Sequence, residues 1–213
     1  MDNIKEVLTD EESLTQWSVE IDPKKEGKLT QQIVIDLKKT MKANNLITLA
    51  APQIGYNRRI ICVKFGENDY RSFINPAITN NTNIEFARET CSSIPNKTFV
   101  IPRFNKIELY FTTPMGDIKS TKQFGFAAHK IQHAIDHLNG SLVSDIGLEI
   151  DELFDNATQE EREEVLKMYA ESLDLRLKAL EKEIEEDPDL KQIVDAEKFI
   201  TSVKSGETKL EKI

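Results

Sequence analysis

Cysteine and histidine are scarce in this chain of 213 residues, which holds two of the first and three of the second. Two cysteines far apart in sequence cannot form the disulfide framework of a small secreted domain. A thiol kept free for metal binding suits a reducing compartment, so the expected location is cytoplasmic. No apolar run approaches the roughly 20 residues that span a bilayer, so no membrane-spanning helix is expected. The start, Met1-Asp2-Asn3-Ile4-Lys5-Glu6, lacks a basic segment followed by an apolar one, and reads as neither a secretory nor a transit signal. A net charge of −9 speaks against general affinity for nucleic acid or anionic membranes, both of which need clustered Lys and Arg.

With 39% hydrophobic and 31% charged residues, the chain can bury one core of ordinary size and carry an extension. Residues 29–42 space Ile33, Ile35, Leu37 and Met41 through polar neighbours without Pro or Gly, which predicts a helix ending near Asn44-Asn45. Segments 60–65, 71–74, 84–89, 106–112 and 118–123 are rich in β-branched and aromatic residues and predict strands. Thr113-Pro114-Met115-Gly116-Asp117 carries turn chemistry and predicts a hairpin between the last two. Residues 124–138 predict an apolar, buried helix stopped at Asn139-Gly140. The fold class is therefore α+β, a mixed or antiparallel set of short strands wrapped around a central helix.

Near residue 151 the composition changes. Val165, Leu166, Tyr169, Leu173, Leu177 and Leu180 recur every three or four residues among charged ones, predicting an amphipathic helix that breaks at Asp187-Pro188. A shorter helix near 190–203 follows. This divides the chain into residues 1–150 and an acidic helical extension, 151–213. The extension's apolar stripe either folds back on its own domain or docks on a protein partner.

The chemistry concentrates in His133-Ala134-Ile135-Asp136-His137. Histidines four apart on a helix share a face and can offer ring nitrogens to one cation, as in H-E-x-x-H. Alanine stands where that motif carries the glutamate that takes a proton from water, so the ligand pair is kept and the general base is missing. A third ligand is available upstream, Cys91 in Glu89-Thr90-Cys91-Ser92-Ser93-Ile94-Pro95. Three protein ligands leave a fourth position open, which is catalytic geometry. Fe(II), Zn(II) and Ni(II) all suit one thiolate and two imidazoles.

Taken in order, Leu49-Ala50-Ala51-Pro52-Gln53-Ile54-Gly55, the Cys91 segment and Gln132-His133-Ala134-Ile135-Asp136-His137-Leu138 resemble the three motifs of the peptide deformylases. The likeness runs from about residue 30 to about 150 and includes Arg58-Arg59-Ile60-Ile61-Cys62-Val63, Phe73-Ile74-Asn75-Pro76 and Val100-Ile101-Pro102-Arg103. It implies a deformylase-like fold, a metal held by Cys91, His133 and His137, and N-formyl-methionyl peptides as substrate. It also implies that Gln53 and the backbone N–H of Ser92 hold the formyl oxygen.

The chain departs from the family at more than Ala134. Leu46 and Thr48 stand where the first motif opens with two glycines, and Thr90 and Ser92 replace the glycine and leucine around the cysteine. Side chains at Thr48 and Thr90 are expected to crowd the edge along which a peptide would lie. His129 lies about 6 Å along the helix axis from His133, on the far side from the missing carboxylate, and is read as structural. Asp136 is read as orienting its neighbours, and Cys62 as a small buried hydrophobe.

The resulting expectation is a deformylase-like protein that retains its metal site but hydrolyses N-formyl-methionyl peptides weakly or not at all. One alternative is an active peptide deformylase, or an engineered inactive copy of one. Another is a structural or assembly protein, such as a bacteriophage tail or baseplate component carried in a virion, using the fold as a scaffold and residues 151–213 to bind partners.

Overall fold

A computed structural model describes residues 4–186. Its elements in order are α1 (Glu11–Leu14), α2 (Gly27–Ala43), β1 (Thr48–Ala50), a 3-10 turn (Ala51–Ile54), β2 (Ile60–Lys64), β3 (Tyr70–Cys91), β4 (Ile94–Thr112) and β5 (Ile118–Phe124). There follow α3 (Gly125–Leu138), α4 (Val143–Ile146), β6 (Leu148–Ile150), α5 (Glu152–Asn156) and α6 (Gln159–Glu186). The helix expected near 190–203 and the break at Asp187-Pro188 lie outside the described residues. Among the described residues, no helix is long and apolar enough to cross a membrane.

The six strands form one sheet in the order β1-β2-β3-β4-β5, with β6 also paired to β4, and every ladder is antiparallel. The architecture is α+β, as expected, but two strands are not short: β3 and β4 run for 22 and 19 residues. Asn75-Pro76 and the asparagines at 80, 81 and 83 read as strand ends, yet the ladder absorbs them as register shifts between Ile74 and Ala77 and between Ile78 and Asn80. A bulge seats an unpaired residue and bends the strand without ending it. Positive φ at Asn75 (47°) and Asn83 (59°) marks those kinks, and asparagine tolerates that region better than most residues.

α3 lies against the sheet because its apolar face, Ala128, Ile131, Ala134, Ile135 and Leu138, meets Ile61, Val63, Phe73, Ile107 and Leu109 in one buried cluster. At about 1.5–3 kcal/mol for each large apolar side chain removed from water, this contact fixes the helix against β2, β3 and β4. The helix ends at Asn139, and Gly140 follows with φ 67°. A Cβ there would come within 2.4 Å of the Thr15 carbonyl oxygen, so only glycine allows the chain to turn at that point. On the other side α2 packs Ile33, Leu37 and Met41 against Leu49, Ile60, Cys62 and Ile74.

α6 begins with a capping box, in which Thr158 Oγ1 accepts from the Glu161 N–H and the Glu161 carboxylate accepts from the Thr158 N–H. Its first half folds back on the chain: Leu166, Tyr169, Ala170 and Leu173 are buried with Phe154 against Ile84, Phe86, Val100 and Ile150. Residues on both sides of position 151 thus share one apolar cluster. Replacing Leu166, which is 1% exposed, with alanine is expected to destabilise the chain by about 2–5 kcal/mol. Chemical denaturation of the full chain measures this, and a change below 1 kcal/mol would mean that α6 is not part of the core.

Candidate metal centre

Three elements converge on the site. β3 delivers Cys91 at its last position, where Ser92 and Ser93 turn the chain into β4. α3 delivers His133 and His137 from one face, and the 3-10 turn after β1 delivers Gln53. All four are buried, at 4%, 4%, 1% and 2% exposure respectively.

The donor atoms of Cys91, His133 and His137 all lie within 4.8 Å of one another, the group of three foreseen from the sequence. A sulfur and an imidazole nitrogen bound to one tetrahedral ion at ordinary bond lengths stand about 3.5 Å apart. Cys91 Sγ and His137 Nε2 are 3.2 Å apart, so the pair needs only slight opening to admit an ion. A soft thiolate with two imidazoles fits Fe(II) or Zn(II), and Ni(II) by the same chemistry.

The geometry behind the ligands is as specific as that of the ligands themselves. Glu89, with its side chain wholly buried, places Oε2 2.8 Å from His133 Nδ1, which leaves Nε2 of that ring for an ion. Arg103, also buried, spans Glu89 and Asp136: its Nε and Nη2 donate to the two Glu89 oxygens at 3.1 and 2.9 Å, and Nη1 reaches Asp136 Oδ2 at 2.7 Å. Burial disfavours the Glu89 carboxylate, but Arg103 and His133 outweigh it and hold the group well below the usual carboxylate range. Asp136, read from the sequence as orienting its neighbours, pairs with Arg103. The roles of Glu89 and Arg103 were not read from the sequence, although a charged residue at position 103 among Val100, Ile101 and Pro102 was the available signal.

Burial also raises the cost of ionising Cys91, yet hydrogen bonds from His133 and His137 prevail and bring its thiol down to about 5. The Cys91 sulfur and the Glu89 carboxylate in turn overcome the burial of His133 and lift it to about 9. Between these values the pair holds one proton, which must leave before both atoms can ligate an ion. Apparent metal affinity is therefore expected to rise about tenfold per pH unit from about 5 to about 9 and to level off above. A chelator competition titration across that range reads the slope; a flat profile would contradict the assignment of these two side chains as ligands.

Gln53 is held with its side-chain oxygen on the Ala50 N–H at 2.9 Å and its amide nitrogen toward the Cys91 turn. That nitrogen is 3.1 Å from Ser93 Oγ, 3.4 Å from Ser92 Oγ and 3.9 Å from Cys91 Sγ. Ala134 is completely buried within the α3 cluster. His129 Nε2 lies 3.2 Å from Glu85 Oε1 and does not join the three donors. Thr48 spends its hydroxyl on the Cys62 carbonyl at 3.3 Å, while Thr90 lines a cleft beside the centre. Cys62 is fully buried and burial pushes its thiol up to about 11, so it is neutral and apolar in character.

Residues 4–150 match the family model described as polypeptide deformylase. A peptide deformylase of Dictyoglomus turgidum is 37% identical over 134 residues, covering 62% of this chain and 87% of that protein. One from Halothermothrix orenii is 34% identical over 119 residues, covering 55% and 77%. Among solved structures, peptide deformylase from Thermotoga maritima superposes with a TM-score of 0.62 at 28% identity, covering 67% of this chain and 97% of that one. The class I type b peptide deformylase from Acinetobacter baumannii gives 0.63 at 25% identity, covering 67% and 98%. By sequence and by fold, then, this chain belongs to the polypeptide deformylase family.

Proposed function

We propose that this chain removes the formyl group from N-formyl peptides, of the N-formyl-methionyl class that the family implies, and does so slowly. The observation that carries this reading is the convergence of Cys91, His133 and His137, with Gln53 beside the sulfur. Cys91, His133 and His137 would hold an ion there, which would supply Lewis-acid polarisation of the formyl carbonyl and lower the pKa of water. Gln53 and the backbone N–H of Ser92 orient the formyl oxygen, and the burial of the site excludes bulk water from the reacting atoms.

The slow rate follows from where the carboxylates are. Both Glu89 oxygens are engaged by Arg103 and His133, and Asp136 is tied to Arg103. His129 is turned to Glu85, and position 134 carries only a methyl group. Among the described residues, none of these groups is thus disposed to take the proton of an attacking water, and loss of a general base typically costs about 10² to 10⁴ in rate. Leu166, Tyr169, Ala170 and Leu173 of α6 pack against the chain's own sheet, so these four residues do not favour the scaffold alternative. Formate release from N-formyl-Met-Ala-Ser by the metal-loaded chain tests the proposal. Slow release that stops when the metal is removed is the expected result, and neither release nor binding of the peptide would overturn it.

A further inference from the structure

The stripe of α3 that carries the ligands extends past them toward the helix N-terminus. Phe126, Lys130, His133 and His137 follow one another at spacings of four, three and four residues, so they share one face. Beside the centre, Phe126 and Lys130 line a cleft of about 440 Å³ together with Ile47, Arg88, Glu89, Thr90 and Thr98. The cleft is bordered by the end of β3 that leads to Cys91, since Glu89 and Thr90 precede that residue.

Its charges are unevenly satisfied. Glu89 is neutralised by Arg103 and His133, and Arg88 by Asp155 at 2.6 Å. Lys130 is different: only 9% exposed, it rests its ammonium 5.2 Å from the centre of the Phe126 ring, and among the described residues no carboxylate lies within ion-pair distance of it. A buried ammonium that faces an aromatic ring and feels the Glu89 carboxylate, itself bound by Arg103 and His133, without forming an ion pair is incompletely compensated, and an anionic ligand group would complete it. Ile47 and Phe126 leave apolar wall for the carbons that carry such a group, and Thr90 and Thr98 offer hydroxyl donors.

We propose that Lys130 selects N-formyl compounds that carry a carboxylate a few bonds from the formyl nitrogen. The carboxylate is supplied either by an acidic first side chain or by the free α-carboxylate of an N-formyl amino acid. This rests on the formyl-binding reading above and names the ligand class within it. The cation serves specificity; it takes no part in the bond-breaking step.

Binding to the zinc-loaded full chain, measured by calorimetry with two matched pairs of probes, tests it. N-formyl-glutamate α-amide against N-formyl-glutamine α-amide isolates a side-chain carboxylate, and N-formyl-methionine against its amide isolates the α-carboxylate. In at least one pair the acid is expected to bind about tenfold tighter than the amide. Lys130→Met, at unchanged zinc content, is expected to bring that ratio to about one. Equal binding within both pairs overturns the role of Lys130 and leaves formyl recognition standing. So does an acid preference that survives in Lys130→Met at full size. Binding of none of the four probes overturns both readings. The comparison within the unsubstituted chain decides the matter even if the variant does not fold.

Discussion

Ala134→Glu is expected to raise the rate of formate release by about 10² to 10⁴. The residue follows a metal ligand on α3, so a carboxylate there stands next to the ligands without displacing any of them. The substitution adds volume and charge to a position that is 0% exposed and packed among Ala50, Ile131 and Leu138, and overfilling such a site costs about 1–3 kcal/mol. The gain in rate should therefore come with a lower unfolding temperature, and with a new acidic limb in the pH profile of kcat as the added carboxyl titrates. Steady-state kinetics of both proteins at matched metal content measure it. An unchanged rate in a folded, metal-replete variant would place the defect in the lining, at Thr48, Thr90 and Ser92, and would count against the missing base as the limiting element.

Arg103→Met has the second large effect, and it falls on stability. The guanidinium is buried and bridges Glu89 and Asp136, whose side chains are 0% and 26% exposed. Removing one partner of a buried ion pair leaves the other charge unmatched and costs about 3–5 kcal/mol. Burial weakens the charge of Arg103, but Asp136 and Glu89 more than restore it and push it above its ordinary value, so the group is cationic at any working pH. The pH dependence comes from Glu89. Because its carboxyl is held below its ordinary value, its contribution is complete above that value and fades only as pH falls toward the depressed one. In Arg103→Met the main cause of that depression is gone, so acid unfolding should move to higher pH. Denaturation curves at several pH values check this. The double variant Arg103→Met with Glu89→Gln should recover part of the loss, because it removes the stranded charge, and a loss that is merely additive would contradict the ion-pair account.

Much of this was legible in the sequence because it depends on local spacing. His133 and His137 sit four apart on a helix that needs no tertiary information to be drawn, and the hairpin at residues 113–117 is closed as its turn residues predict, with the Thr113 N–H donating to the Asp117 carbonyl at 2.8 Å. Cys91 was placed through the resemblance of its segment. The features that escaped depend on what the sheet brings together. Asparagine and proline read as strand ends because local propensity does not register a ladder strong enough to continue through a bulge, as β3 does at Ile74–Ala77. Glu89 and Arg103 lie 14 residues apart on neighbouring strands, and their bond exists only once β3 and β4 are in register. Lys130 reads as an ordinary helix lysine until its exposure and the surrounding cleft are known. The α6 stripe pointed equally to its own domain and to a partner, and the contact of Leu166, Tyr169 and Leu173 with Phe86 and Val100 exists only once the sheet is formed.

The most direct measurement is X-ray absorption at the zinc edge of the full chain loaded with one equivalent of Zn(II). One sulfur at about 2.3 Å and two imidazole nitrogens at about 2.0–2.1 Å are predicted, with the sulfur contribution lost in Cys91→Ser. A shell of nitrogen and oxygen alone in the unsubstituted chain, or a spectrum that Cys91→Ser leaves unaltered, would contradict the account.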